Sequence, residues 1–214
     1  MSDDLIDRLV IDLQPVKRLR SPALRTIQFA CLAIAAMTAA VLFGTLRADL
    51  AAKLHDPSYL AESGLLFMLF GGATFAALRS GVPGAKPGSA SWLVGLSASA
   101  WLLIVGAHYH APPDAIDFAS GLACLHRTLV LGALPACGLL AMMRRSAPLA
   151  AGTSGSLVMI SAGALAVLGT RVLCAKDNAM HVFAWHLAPV ALFALLGWFV
   201  GRVWLSGRAR LVPL

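Results

Sequence analysis

The stretch SLVMISAGALAVLGTRVLCAKDNAMHVFAWHLAPVALFALLGWFV, residues 156–200, sets two long apolar runs on either side of a short polar knot. Each run approaches the ~20 residues that a helix needs to cross a bilayer. Apolar residues are continuous within the runs rather than alternating, which argues against barrel strands. The knot between them, CAKDNAMHVFAWH at 174–186, concentrates a cysteine, a lysine, an aspartate, two histidines and a tryptophan. Working outward, the same pattern recurs along the chain. Six spans are predicted, at about 27–46, 60–78, 90–107, 121–143, 155–173 and 183–204. The expected fold class is all-α: a polytopic membrane protein with a six-transmembrane-helix bundle. Composition agrees, with 59% hydrophobic and 13% charged residues and a mean hydropathy of +0.79. A soluble domain runs nearer half apolar and a quarter charged.

The 214 residues carry a net charge of +7. In a soluble protein that would suggest nucleic acid as a partner. Here the distribution points to orientation instead, because twelve Lys and Arg fall in the termini and alternate loops and five in the others. The positive-inside rule then puts both termini in the cytoplasm and the loops near 47–59, 108–120 and 174–182 outside. No cleavable signal is expected, since the first apolar run starts only near Ile27 and is too long for a signal core. The chain divides into a cytoplasmic segment 1–26, a membrane domain 27–205 and a tail 206–214. In the first segment Leu5, Ile6, Leu9, Val10 and Leu13 recur at helical spacing, giving a short helix with one apolar face. Such a face can occupy a groove on a protein partner or lie on membrane lipid beside the basic run Lys17 to Arg25.

Cys124 opens the fourth span and Cys174 follows the fifth. Consecutive antiparallel spans put both at one membrane level, close enough for a disulfide. A structural staple and a thiol switch both fit. Cys31 and Cys137 lie inside spans and read as small hydrophobes. The histidines crowd the outer side: His55, His108, His110, His126, His181 and His186. A metal site drawn from Cys124, Cys174, His126 and His181 competes with a simpler account, polar side chains at a wet membrane edge. The second fits better, because no tight ligand spacing is present. His186, five residues beyond His181, would point away from it on an α-helix. Arg127, Arg171 and Glu62 lie near span ends, where snorkelling to the interface is expected. Trp92, Trp185 and Trp204 suit the interfacial belt.

Three blocks then coincide: DDLIDRLVIDLQPVKRLRSPALR at 3–25, GLACLHRTLVLGALPA at 121–136 and CAKDNAMHVFAWHLAPV at 174–190. With six spans, the chain resembles the NrsF family, negative regulators of sigma F. The resemblance implies a membrane-bound anti-sigma factor that holds an extracytoplasmic-function sigma factor at the bacterial inner membrane. It implies a regulator rather than an enzyme, with no cofactor and no direct contact with nucleic acid. The partner would be captured through Leu5, Ile6, Leu9, Val10 and Leu13. The resemblance further implies that Cys124 and Cys174 sense a periplasmic metal or oxidative signal, with His126, Asp177 and His181 as candidates to tune the thiols. The family block carries proline after its second cysteine, where this chain has Ala175.

Other classes are weaker on the residues. A thiol oxidase wants a Cys-x-x-Cys pair, and none occurs. A haem or quinone protein with Cys/His chemistry at the periplasmic edge wants histidines facing one another within the spans. A transporter wants charges near the midplane.

Overall fold

The computed structural model describes residues 19–82, 84–85, 88–107, 117–146 and 148–206. The amino-terminal anchors Leu5, Ile6, Leu9, Val10 and Leu13, together with His108 and His110, lie outside the described residues. The elements in chain order are α1 (Pro22–Leu42), the one-turn α2 (Leu50–Lys53), α3 (Pro57–Ser80) and α4 (Ser89–Ala107). After these come α5 (Phe118–Arg144), α6 (Ala151–Leu173) and α7 (Ala179–Leu205). No strand occurs among the described residues. Six of these helices are long and apolar enough to cross a membrane. The all-α six-helix expectation holds, and the chain is a multi-pass membrane protein.

Local chemistry sets the helix starts. Ser21 caps α1 by accepting from the Leu24 N–H, with Pro22 in the first turn, so α1 begins ahead of the apolar run at Ile27. Asp56 caps α3 through the Ser58 N–H, and Asp117 caps α5 through the Ser120 N–H. Asn178 caps α7 through the His181 N–H at 2.7 Å. Each side chain satisfies a donor that the helix itself leaves open. Arg25 then clasps α1 to the end of α5, donating to the Met142 carbonyl at 2.8 Å and to Ser146 Oγ at 3.1 Å.

The helix α6 is the hub. It packs against α1, α3, α5 and α7, and 67% of its membrane window is buried, against 22% for α1 and α4. Its sequence is dominated by Gly, Ala, Ser and Thr, which let backbones approach closely where the hydrophobic effect between helices is weak. At the α6–α7 crossing, a Cβ on Gly155 would meet the Gly197 carbonyl oxygen and lie 2.8 Å from the Gly201 Cα. Hydroxyl pairs join α6 to its other neighbours: Ser161 to Thr74 at 2.7 Å, Ser154 to Ser80 at 2.7 Å and Thr170 to Thr128 at 3.0 Å. Thr74, Ser154 and Thr128 also donate to the carbonyl four residues back, which leaves the partner hydroxyl to supply the proton across each pair, so these hydroxyls cost the core little.

Candidate functional site: a thiol and imidazole cluster at one end of the bundle

Cys124 and Cys174 meet with their sulfurs 3.2 Å apart, both as free thiols and both buried. Their register is set one turn further in. Thr128 donates to the Cys124 carbonyl at 2.9 Å, and Thr170 accepts the Cys174 N–H on its own carbonyl at 2.8 Å. The Thr128–Thr170 hydroxyl contact therefore locks α5 and α6 so that residues four away on each helix, the two cysteines, face one another. Cys174 is the residue that ends α6, with extended backbone at φ −101° and ψ 121°. The helix stops there and the thiol turns inward.

Two imidazoles complete the group. His181 sits in the first turn of α7, held by the Asn178 cap, with Nε2 3.5 Å from the Cys174 sulfur. His186 follows, fully buried, with its ring centroid 5.3 Å from that of His181. The four donor atoms of Cys124, Cys174, His181 and His186 all lie within 4.8 Å of one another. The expectation that His186 points away is therefore corrected. Five residues on an α-helix advance well past a full turn, but Phe183–Leu187 forms a π turn. The Ala188 N–H reaches back to the Phe183 carbonyl, and the wider turn swings His186 round to the side of His181.

His126 does not join them. It is exposed, because two residues beyond Cys124 lies on the opposite side of α5. Asp177 is also turned elsewhere. Its carboxylate accepts from Arg47 at 2.7 and 3.0 Å and pairs with Lys53 at 3.1 Å. Arg47 closes a second pair of bonds to Asp49 at 2.7 and 2.9 Å, and its backbone N–H bonds the Val172 carbonyl. Its guanidinium stays strongly protonated, first through the Asp49 hydrogen bond and then through Asp177. Burial pushes Asp177 up, yet the hydrogen bonds from Arg47 and Lys53 outweigh it and hold the carboxyl below its ordinary value. Lys176 reaches the α5 cap Asp117 at 2.7 Å. The five-residue link 174–178 is thus tied on one side to Arg47 and on the other to α5.

Arg171 and Glu62 turn into the bundle rather than outward as snorkelling side chains would. Both are buried and paired at 3.3 Å, with the Arg171 guanidinium 5.0 Å from the Tyr59 ring centre. Burial at this depth requires a partner, and each supplies the other's. Trp185 is half-buried. It meets Phe118 edge-on at 5.7 Å, over Gly121, where any Cβ would run into the indole. Cys31 and Cys137 are on the outer surface of the bundle, far in character from the buried pair.

The Cys124 hydrogen bond holds the Cys174 thiol well below the ordinary thiol range, against the opposing effect of burial. The thiolate is the form of cysteine that ligates metals and attacks sulfur. What fold and site define together is a helical membrane protein carrying a buried Cys2His2 group at one end. The family model for NrsF, negative regulator of sigma F, matches residues 9–206, and the chain belongs to that family. The family is named for regulation and for no catalysis. Neither a curated protein nor a solved structure matches the chain.

Proposed function

We propose that the protein is an anti-sigma factor that sequesters an extracytoplasmic-function sigma factor at the inner membrane and releases it when a periplasmic metal or oxidative signal reaches Cys124 and Cys174. The observation that carries the reading is the buried pair of free thiols, 3.2 Å apart, at the junction of the hub helix α6 with its neighbour α5. Chemistry at that junction acts on the one helix that touches α1, α3, α5 and α7. The sigma factor would sit on the apolar face of Leu5, Ile6, Leu9, Val10 and Leu13, in a segment that leads into α1. Orientation with both termini cytoplasmic follows from the charge bias and puts the thiols on the oxidising side.

An oxidative signal would take two electrons and two protons from the thiols and leave one S–S bond, with a thiol oxidant as acceptor. The sulfurs must then close from 3.2 Å to about 2.05 Å, which draws α5 and α6 together at this end. A reporter for the sigma regulon tests the reading in Cys124→Ser and Cys174→Ser strains. Induction by stress should be lost in both, and unchanged induction in both would sink the sensing role. Deleting residues 1–14 should give constitutive expression, and continued repression would sink the capture role.

A further inference from the structure

We infer that Cys124, Cys174, His181 and His186 form a tetrahedral binding site for a thiophilic d10 dication of the zinc(II) or cadmium(II) type. This rests on the sensing role proposed for the two cysteines and adds the ligand class and two ligands. Three observations carry it. First, the four donor atoms lie within 4.8 Å of one another and all four residues are buried. Bonds of about 2.3 Å to sulfur and about 2.0–2.1 Å to imidazole nitrogen place tetrahedral donors roughly 3.3–3.8 Å apart. The sulfurs already stand at 3.2 Å, so side-chain shifts of about 1 Å close the set.

Second, His186 is fully buried with neither ring nitrogen hydrogen-bonded. A buried imidazole without a partner is costly, and a metal bond removes that cost at one of the two nitrogens. The π turn at Phe183–Leu187 is what aims this ring into the cluster, and π turns inside helices concentrate at functional positions. Third, the charges close. Two thiolates cancel a dication and two neutral imidazoles complete the shell, so the site as a whole is neutral at a low-dielectric membrane edge. Binding a dication releases the protons of whichever cysteines are still thiols. His181 is oriented from behind by the Asn178 cap on its own N–H, through the backbone of its turn.

The buried position also selects among signals. The cysteines are 3% and 6% exposed, which bars a bulky disulfide-exchange protein but not a small ion. Metal ligation and disulfide formation compete for the same sulfurs, so a filled site protects the pair from oxidation.

The test uses the full-length protein, purified in detergent and reduced. Cobalt(II) alone is titrated and followed by its visible d–d bands, then displaced by zinc(II). Expected are the intense bands of tetrahedral thiolate coordination at one equivalent, bleached by zinc(II). Zinc(II) should also protect Cys124 and Cys174 of the unaltered protein from alkylation. His186→Gln should weaken cobalt(II) binding by more than the 10- to 100-fold that outer partners of metal ligands contribute. His126→Gln should leave it unchanged. Absence of both the bands and the protection overturns the inference, as does His186→Gln binding cobalt(II) like the unaltered protein. The regulon reporter separates the two readings. Metal binding with cysteine-independent induction sinks the sensor and keeps the site; cysteine-dependent induction without metal binding sinks the site and keeps the sensor.

Discussion

Removing Arg47 should unlatch the cysteine-bearing link without touching a thiol. The Arg47 side chain is fully buried and chelates two carboxylates, those of Asp49 and Asp177, at 2.7–3.0 Å. Breaking a fully buried, hydrogen-bonded charge pair costs about 3–5 kcal/mol. Asp177 retains Lys53 at 3.1 Å and its side chain is 29% exposed, so screening reduces the figure, to about 1.5–3 kcal/mol for Arg47→Ala. That energy is lost from the closed state of 174–178, and local opening governs access to Cys174. At 1.36 kcal/mol per tenfold, alkylation of Cys174 should speed up by about 10- to 150-fold. The assay is the rate of maleimide labelling of reduced protein in detergent, with Cys31 and Cys137 replaced by serine to isolate the pair. Lys176→Ala is the comparison. Its bond to Asp117 joins side chains that are each 45% exposed, where solvent screens the pair, so labelling should speed up far less than in Arg47→Ala. Arg47→Lys should behave more like Arg47→Ala than like the unaltered protein, since one ammonium cannot chelate both carboxylates. Equal labelling rates for Arg47→Ala and Lys176→Ala would refute the latch.

The other expectations follow from equally local features. Gly155→Ala sets a Cβ against the Gly197 carbonyl at a backbone crossing, so it should destabilise the bundle by about 1–3 kcal/mol; Gly64→Ala, inside a helix with open space around it, should hold the thermal unfolding midpoint or raise it. A double-mutant cycle of Thr74→Val and Ser161→Ala, read by unfolding in detergent, should return a coupling of about 0.6–1.7 kcal/mol for their 2.7 Å bond. Acid should open the latch only late. The Asp177 carboxyl is held below its ordinary value, so its stabilisation is fully present above about pH 4 and is lost as pH falls through the lowered value. Cys174 labelling, corrected for thiolate fraction, should therefore stay flat from neutral pH to about 5; a rise between 7 and 5 would contradict the Arg47–Asp177 assignment.

The bundle was legible because hydropathy acts along the chain: a span is a run of neighbours, and bilayer thickness sets its length. The cysteine pair was legible for a related reason, since an antiparallel hairpin brings two helix ends to one level whatever the side-chain details. What fixes their contact, the mirrored Cys124-x-x-x-Thr128 and Thr170-x-x-x-Cys174, was also in the sequence, but it gains meaning only once α5 and α6 are known to pack. Glu62 and Arg171 were misread because distance from a span end says nothing about which face of the helix a charge occupies. His186 was the harder case. A constant 3.6 residues per turn sends it away from His181, and only a local change of pitch returns it. The signal for that change is Pro189, three residues on. A proline has no N–H for the carbonyl of Trp185, and its ring crowds that carbonyl. The turn ahead widens, with the Ala188 N–H taking the Phe183 carbonyl instead, as membrane helices do to re-satisfy backbone freed by proline. Pro189 therefore does more than end a pattern: through the π turn it decides whether the cluster holds three donors or four.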